Sequence, residues 1–403
     1  MNAQPLRLYG RMSLLLVSLL VAACSNGSDT PSRAGQVQSA DGSPLTSAAT
    51  FDAASLKIVT IASGLEHPWS LAFLPDSSDM LVTERAGRLR VVSAKGEISP
   101  PVSGLPAIAS AGQGGLLDVA LDPEFSSNRL VYLSYTEAGP RGGNSLAVAR
   151  GALSADQRQL AKVQVIFSQR PKAESNGHFG GRLVFSRDGF LYITLGDRQR
   201  SSERDKAQSL NHHHGKVVRL HSDGRIPTDN PFVKTSGALP ETWSLGHRNP
   251  QGATLHPQTG ELWISEHGPQ GGDEINIVRA GRNYGWPLVS YGCEYGTCRQ
   301  IGDGPRLPGM EDPVTYWIPV SIAPSGLTFY TGNRYPGWTG NLFSGALAGR
   351  ALWRLQLDGE RVIGRQALLT GFGERIRDVR QGPDGWLYLL TDADNGRLLR
   401  LER

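Results

Sequence analysis

The amino-acid sequence predicts an all-β fold, a six-bladed β-propeller built from four-stranded antiparallel blades. Three observations predict it: one strand–turn–strand pattern recurs six times, glycine and proline are abundant, and the recurrences are spaced by roughly 60 residues. A large β-sandwich is the alternative all-β fold, but it does not account for the number of copies.

The recurring pattern is an apolar strand, a turn containing Pro, Asp or Gly, and a second strand of alternating character. Forty-nine glycines and 25 prolines supply the turns and argue against a helical bundle. Radial closure of six blades also leaves no long sheet edge exposed. The six copies begin with the apolar segments 71–74, 119–121, 183–185, 253–255, 327–330 and 378–380.

The N-terminal segment has the features of a lipoprotein signal peptide. Arg7 and Arg11 precede an apolar stretch at 12–22, which is too short for a membrane span of about 20 residues. Cys24 follows small residues and is the expected lipidation site, with an ordinary cleavage site as the alternative; Ser25 favours sorting to the outer membrane. We therefore expect an exported, periplasmic protein with a signal peptide at 1–23, a flexible tether at 24–53 and the propeller at 54–403.

Charge and cysteine usage narrow the function classes. The formal net charge is +4 and no Lys–Arg block occurs, which argues against nucleic acid as a partner. Cys293 and Cys298 suit an oxidising compartment and a local disulfide, with two free buried thiols as the alternative. Closing this short loop would contribute about 2 kcal/mol to stability.

Polar, glycine-rich segments adjoin the predicted strands, at ends where the blades of a propeller converge on one funnel. Each segment alone also has a purely structural explanation, such as a turn or a solvated acidic pair at Asp273–Glu274, although two carboxylates also suit calcium. The run His212–His214 is interpreted as a loop feature, because adjacent side chains cannot easily share one tetrahedral zinc ion. The segments are 112–115, 178–182, 196–198, 246–252 and 267–276.

Together these segments resemble the soluble quinoprotein glucose dehydrogenases, and most closely their aldose sugar dehydrogenase branch. The resemblance extends from Pro68 to Asp378 and rests on GHRNPQG at 246–252, GDEIN at 272–276 and NYGWP at 283–287. It implies an enzyme that uses pyrroloquinoline quinone (PQQ) and calcium to oxidise aldose sugars at C1 to the lactone, over a broad substrate range. The implied partners are a small-molecule sugar and an electron acceptor that the sequence does not identify.

The resemblance implies three catalytic residues. His178 matches the general base, which takes the proton from the anomeric hydroxyl, and an imidazole titrates in the range that this role needs. Asp197 matches the aspartate that orients the base and stabilises its imidazolium form. Arg248 matches the arginine at the quinone oxygen, where a fixed cation stabilises developing negative charge.

The resemblance also implies the cofactor contacts. PQQ carries three carboxylates, so cationic residues are expected around it. A lysine of the glucose dehydrogenases is replaced here by Ala348, and Arg350 is the residue we expect to supply that charge. Arg375 and Arg377 match a family pair that alternation along a strand would place on one face. The further implied contacts are Gln113, Asn249, Tyr295 and Ser321, beside Arg248.

Calcium is implied at two positions, both with oxygen ligands. The carbonyls of Gly268 and Pro269 match the ligands of the ion that bridges protein and cofactor. The Glu274 carboxylate and the Tyr284 carbonyl match a second ion of the aldose branch.

Two other functions remain open on the sequence alone. A calcium-dependent lactonase-type hydrolase would need several carboxylates and asparagines on one metal, where this chain places arginines and amides. A non-catalytic binding propeller is mildly favoured by Ala348, but the retention of His178, Asp197 and Arg248 argues against it.

Overall fold

The computed structural model describes residues 56–75 and 77–403, so the predicted signal peptide and tether lie outside the described residues. Nearly all regular structure in the described ranges is β, with two one-turn α-helices, α1 (Phe125–Asn128) and α2 (Ser201–Arg204). Two 3₁₀ turns span Pro140–Gly142 and Asp205–Gln208. No helix in these ranges has the length and apolar character needed to cross a bilayer.

Within residues 56–75 and 77–403, 23 strands form six antiparallel sheets. In chain order they are β1 (Lys57–Leu65), β2 (Pro68–Phe73), β3 (Met80–Glu84), β4 (Arg88–Val92), β5 (Leu116–Leu121), β6 (Leu130–Ala138), β7 (Asn144–Leu153), β8 (Leu160–Ser168), β9 (Gly180–Phe185), β10 (Phe190–Leu195), β11 (Lys216–His221), β12 (Thr242–Leu245), β13 (Pro250–Leu255), β14 (Leu262–Glu266), β15 (Asp273–Val278), β16 (Thr315–Trp317), β17 (Pro324–Phe329), β18 (Leu342–Ala346), β19 (Ala351–Asp358), β20 (Arg361–Leu368), β21 (Ile376–Gln381), β22 (Leu387–Thr391) and β23 (Gly396–Glu402).

The six sheets are the blades of a closed propeller, which confirms the predicted fold. Their innermost strands are β2, β5, β9, β13, β17 and β21; each contacts the next, and β21 contacts β2. Each of the six sequence copies corresponds to the innermost strand of a blade and the strand after it. The last blade is completed by β1, which pairs with β23 from Leu65↔Gly396 to Lys57↔Glu402 and so joins the two ends of the described chain.

The first blade differs from the prediction of four strands. It contains β2, β3 and β4, and its fourth position is reduced to a single bridge between Val92 and Ile98. Pro100 and Pro101 follow that bridge. Because proline lacks a backbone N–H, these residues cannot continue the ladder.

The apolar core lies between neighbouring blades. Leu81 and Leu89 of the first blade, for example, pack with Leu116 and Leu133 of the second, and all four side chains are buried. Alternation along each strand supplies one apolar face to each interface. The blades are thereby held in fixed register, and the loops at their ends have a rigid support.

Candidate active site

Most of the predicted site residues lie at one end of the propeller. In each blade the start of the innermost strand pairs with the end of the following strand, as in Pro250↔Glu266 and Ile376↔Thr391. The residues before the first strand and after the second are therefore neighbours around the central axis. Gln113, His178, Arg248, Asn249, Ser321 and Arg375 occupy the first kind of position, and Asp197, Gly268 and Pro269 the second.

The predicted base His178 forms a buried pair with Asp197. The distance from His178 Nδ1 to Asp197 Oδ1 is 2.7 Å. Trp286 Nε1 donates to the other carboxylate oxygen of Asp197 at 2.8 Å, and the backbone N–H of Gln199 donates to Oδ1 at 2.7 Å. A carboxylate fixed in this way selects the tautomer that carries its proton on Nδ1, which leaves Nε2 of His178 to accept a proton.

The electrostatics keep this imidazole neutral near neutral pH. Burial and then the positive charge of Arg248 lower the pKa of His178 below 6.5, although Asp197 opposes the shift. Burial acts to raise the pKa of Asp197, but His178 and Arg248 hold it below its usual value. The pair is thus an ionised carboxylate beside a neutral imidazole, the state that a general base needs.

Arg248 is held beside this pair by backbone carbonyls. Its Nη1 donates to the carbonyl oxygens of His267 at 3.0 Å and Gly268 at 2.6 Å, and its guanidinium lies 5.1 Å from the ring of Trp286. Its backbone carbonyl accepts from Asp197 N at 2.8 Å. Trp286, to which the NYGWP motif alone assigns no role, therefore contacts both Asp197 and Arg248.

The predicted amide contacts also position the base. The side-chain oxygen of Gln113 accepts from the backbone N–H of His178 at 2.9 Å, and that of Asn249 accepts from Gly180 N at 3.1 Å. Nδ2 of Asn249 is buried and makes no hydrogen bond among the described residues. The segment around His178 is thus fixed from two blades, while the Asn249 amide retains a donor for a ligand.

All four residues predicted as metal ligands line one small cavity of about 20 Å³, a size that holds one water molecule or ion. Glu266 lines it as well, and Asn276 Nδ2 donates to Glu266 at 2.9 Å and to Glu274 at 3.1 Å. Burial and then the charge of Glu266 raise the pKa of Glu274 well above its usual value. Two adjacent carboxylates and backbone carbonyls are a donor set that fits calcium. The predicted ligands are Gly268, Pro269, Glu274 and Tyr284.

Arg375 and Arg377 converge on one carboxylate oxygen. Nη2 of Arg375 lies 3.0 Å and Nη2 of Arg377 lies 3.2 Å from Oδ2 of Asp392. Arg377 also donates to the side-chain oxygen of Gln251 at 2.7 Å, and burial lowers its pKa to about 10. The two arginines face the same side of the strand end, as alternation along it predicts.

Two predicted cofactor contacts, Ser321 and Arg350, have other partners in this structure, and a third, Tyr295, is exposed. The Ser321 hydroxyl lies 2.8 Å from both carboxylate oxygens of Asp273. Arg350 is exposed and donates to the Gly373 carbonyl at 3.1 Å. Tyr295 is 64% exposed, in the loop that the Cys293–Cys298 disulfide closes. Their contacts with a cofactor stay predictions.

Sequence reasoning missed a buried ionic network on the innermost strands. Arg182 Nη1 lies 3.2 Å from Asp118, and its Nη2 lies 2.9 Å from Asp378. Arg380 joins the same two carboxylates at 3.3 Å and 3.0 Å. The only sequence signal was a charged residue within an apolar strand, as in LLDVAL. We call these four residues the channel network: Asp118, Arg182, Asp378 and Arg380.

Known proteins share this sequence and architecture. The family model for glucose/sorbosone dehydrogenases matches residues 65–400. The aldose sugar dehydrogenase YliI of Escherichia coli strain K12 is 46% identical over 358 residues, covering 89% of this chain and 95% of its own. The crystal structure of the soluble aldose sugar dehydrogenase from Escherichia coli, in its apo form, superimposes with a TM-score of 0.83 at 46% identity, covering 86% of this chain and 99% of the other. The PQQ-bound aldose sugar dehydrogenase of Streptomyces coelicolor gives 0.72 at 31% identity, with coverages of 86% and 98%.

Proposed function

Since this chain belongs to the glucose/sorbosone dehydrogenase family, we propose that it is a PQQ- and calcium-dependent dehydrogenase that oxidises aldose sugars at C1 to the lactone. The observation that carries the proposal is the His178–Asp197 pair at 2.7 Å, beside the guanidinium of Arg248. This arrangement joins a neutral base to a fixed cation at the mouth of the propeller.

The chain's own groups divide the reaction between them. PQQ, when bound, supplies the quinone that accepts the hydride from C1 of the sugar. Nε2 of His178 takes the proton from the anomeric hydroxyl, and the Asp197 carboxylate stabilises the resulting imidazolium. Arg248 presents a positive charge held by two carbonyls, so it needs no rearrangement as negative charge develops nearby.

The proposed metal and cofactor contacts lie at the same end of the propeller as His178 and Asp197. Calcium would be held by the carbonyls of Gly268 and Pro269, and a second ion by the Glu274 carboxylate and the Tyr284 carbonyl. The cavity that these four residues line has room for one ion, so only one of the two ions would lie inside it. Nδ2 of Asn249 is buried and has no hydrogen-bond partner among the described residues, which supports a direct contact between this amide and the cofactor. The other proposed contacts are Gln113, Arg248, Tyr295, Ser321, Arg350, Arg375 and Arg377.

Reconstitution tests the proposal. Purified protein is stripped with chelator, given PQQ, calcium and a panel of aldoses, and assayed by dye reduction. Activity should require both additions, and His178→Ala should lower kcat by about 10²–10⁴-fold while PQQ binding is retained. His221→Ala, at the opposite end of the same blade, is the matched control because His221 pairs with Phe190 at the start of β10. Absence of PQQ binding by the wild type would overturn the proposal and favour a lactonase or a binding propeller.

We also propose that the protein is exported and anchored to the outer membrane through a lipid on Cys24. The apolar stretch and small residues before this cysteine support the proposal. Cell fractionation should find the wild type in the membrane fraction and Cys24→Ser in the soluble periplasm, and a soluble wild type would contradict it.

A further inference from the structure

Arg85 occupies, in the first blade, a position that site residues occupy in other blades. It directly follows β3, whose last residue Glu84 pairs with Pro68 at the start of β2. Asp392 stands at the same place after β22 in the last blade. Arg85 therefore lies at the same end of the propeller as the candidate active site, although no motif in the sequence pointed to it.

The side chain of Arg85 faces the carboxylate that already binds two arginines. Arg85 Nη1 lies 4.0 Å from Oδ1 of Asp392, while Arg375 and Arg377 contact Oδ2 at 3.0 Å and 3.2 Å. The Asp392 side chain is only 5% exposed, and that of Arg85 is 23% exposed. Three guanidinium groups thus surround one carboxylate, an excess of positive charge at the mouth of the channel. We call these residues the anion cluster: Arg85, Arg375, Arg377 and Asp392.

The backbone around Arg85 is held from both sides. Its N–H donates to the His67 carbonyl at 3.1 Å, and its own carbonyl accepts from Leu116 N at 3.2 Å and from the Ser110 hydroxyl at 3.1 Å. The first blade is thereby tied to the second at this point. Arg85 is consequently presented from a rigid support, which lowers the entropic cost of binding a ligand.

His67 fixes the carboxylate of the cluster. Its Nδ1 lies 2.8 Å from Oδ1 of Asp392, and its Nε2 lies 2.8 Å from Asp394. Its backbone N–H donates to the Ala393 carbonyl at 2.9 Å. His67 therefore holds Asp392 through its side chain and the neighbouring Ala393 through its backbone, and the three arginines surround the Asp392 carboxylate.

From the sequence, Arg350 is the residue expected to replace the charge of the lysine absent at Ala348. In the structure Arg350 is exposed and donates to the Gly373 carbonyl. Arg85, in contrast, faces Asp392 within the anion cluster, and its side chain is less than a quarter exposed. A guanidinium that is partly shielded from water interacts more strongly with an anion than an exposed one does.

We propose that Arg85 is a further cofactor-binding residue, which joins Arg375 and Arg377 at a carboxylate of PQQ, and that Asp392 and His67 are its positioning residues. The identity of the ligand rests on the proposed function. The chemistry recognised is that of a small oxyanion, which a free ion such as inorganic phosphate shares.

The test compares Arg85→Met, Arg85→Lys and Arg225→Met. The dissociation constant of PQQ is measured at fixed calcium by quenching of tryptophan fluorescence. Arg85→Met should raise it by about 10–100-fold, because a charge-assisted hydrogen bond is lost. Arg85→Lys should fall between it and the wild type. Arg225→Met should match the wild type, because Arg225 is 75% exposed and follows His221, which pairs with Phe190 at the end of the blade opposite to the site. A wild-type dissociation constant in Arg85→Met, with its unfolding midpoint unchanged, would overturn the proposal.

Experiments with inorganic phosphate distinguish a PQQ carboxylate from a free oxyanion as the ligand of the cluster. They also distinguish failure of the Arg85 proposal from failure of the proposed function. Phosphate should compete with PQQ in the wild type and lose this effect in Arg85→Met. Weakened phosphate binding with unchanged PQQ binding in Arg85→Met would overturn the assignment to the cofactor. If the wild type binds no PQQ at all, the proposed function fails, and calorimetric binding of phosphate that depends on Arg85 would still support an anion site at the cluster.

Discussion

Two ionic clusters at the centre of this propeller differ in their charge balance. The channel network joins two carboxylates to two guanidinium groups, and Arg182 alone reaches Asp118 and Asp378 at 3.2 Å and 2.9 Å. The anion cluster places three guanidinium groups around the single carboxylate of Asp392. Each cluster combines residues from more than one blade, so their positions in the chain do not explain why one is neutral and the other positive.

Burial explains it instead. Asp118, Asp378 and Arg182 are at most 1% exposed, where an unpaired charge would cost several kcal/mol, so opposite charges must match. In the anion cluster Arg377 is only 6% exposed, but Arg85 and Arg375 retain 23% and 42% exposure, so water can stabilise the excess charge until a ligand replaces it. The channel network has one such arginine, Arg380 at 24% exposure, and two buried carboxylates that balance its charges. The balanced cluster therefore supports the fold, whereas the unbalanced one is suited to binding.

The largest effect is expected from breaking the balanced cluster. Arg182→Met leaves two buried carboxylates with one partly exposed arginine, so it should lower the free energy of unfolding by about 3–5 kcal/mol. Urea unfolding of the apo protein measures this. Arg225→Met removes a 75% exposed arginine of the same blade and should change stability by less than about 0.5 kcal/mol. Equal effects of the two variants would refute the structural role of the network.

A smaller effect is expected from Asp392→Asn, which removes the only carboxylate of the anion cluster. It should cost about 1–3 kcal/mol at pH 7, and added phosphate should recover part of it by replacing the lost charge. Burial acts to raise the pKa of Asp392, but Arg377, His67 and Arg375 hold it well below its usual value. A depressed carboxyl pKa stabilises the fold above the unfolded value of about 4.

The pH dependence of that difference is a second check. The gap in unfolding free energy between wild type and Asp392→Asn should be constant from pH 7 to about 5 and shrink as the pH falls below about 4. A gap that closes above pH 5, or one that phosphate leaves unchanged, would contradict the view that the three arginines hold this carboxylate.

The smallest effect is a shift in the pH dependence of catalysis, which we expect at the His178–Asp197 pair, where one carboxylate meets one imidazole. Because burial and Arg248 lower the pKa of His178, the acid limb of kcat/KM should lie below pH 6.5. Asp197→Asn removes the charge that opposes this shift, so the limb should move to lower pH while kcat falls. Stopped-flow rates across pH 4–8 measure both quantities. A limb that moves upward in the variant would show that Asp197 does not act on His178 in this way.

Local patterns in the sequence were sufficient for the architecture. Strand alternation and Pro, Asp or Gly turns act over a few residues, so six copies of one hairpin could be recognised without knowing their contacts. Proline at 100 and 101 overrode the pattern in the first blade, where four strands were expected and three formed. Resemblance, rather than periodicity, pointed to His178, Asp197 and Arg248, and the structure places them side by side.

Tertiary structure decided which charges meet. Nothing local to Arg85 indicates that it faces Asp392, because the two residues lie near opposite ends of the described chain and meet only when β1 and β23 close the ring. The sequence by itself determined the repeat, the turns and the chemistry available at each strand end. Ring closure alone decided that the channel network would be neutral and the anion cluster positive, because charge balance depends on distances between blades and not on neighbours in the chain.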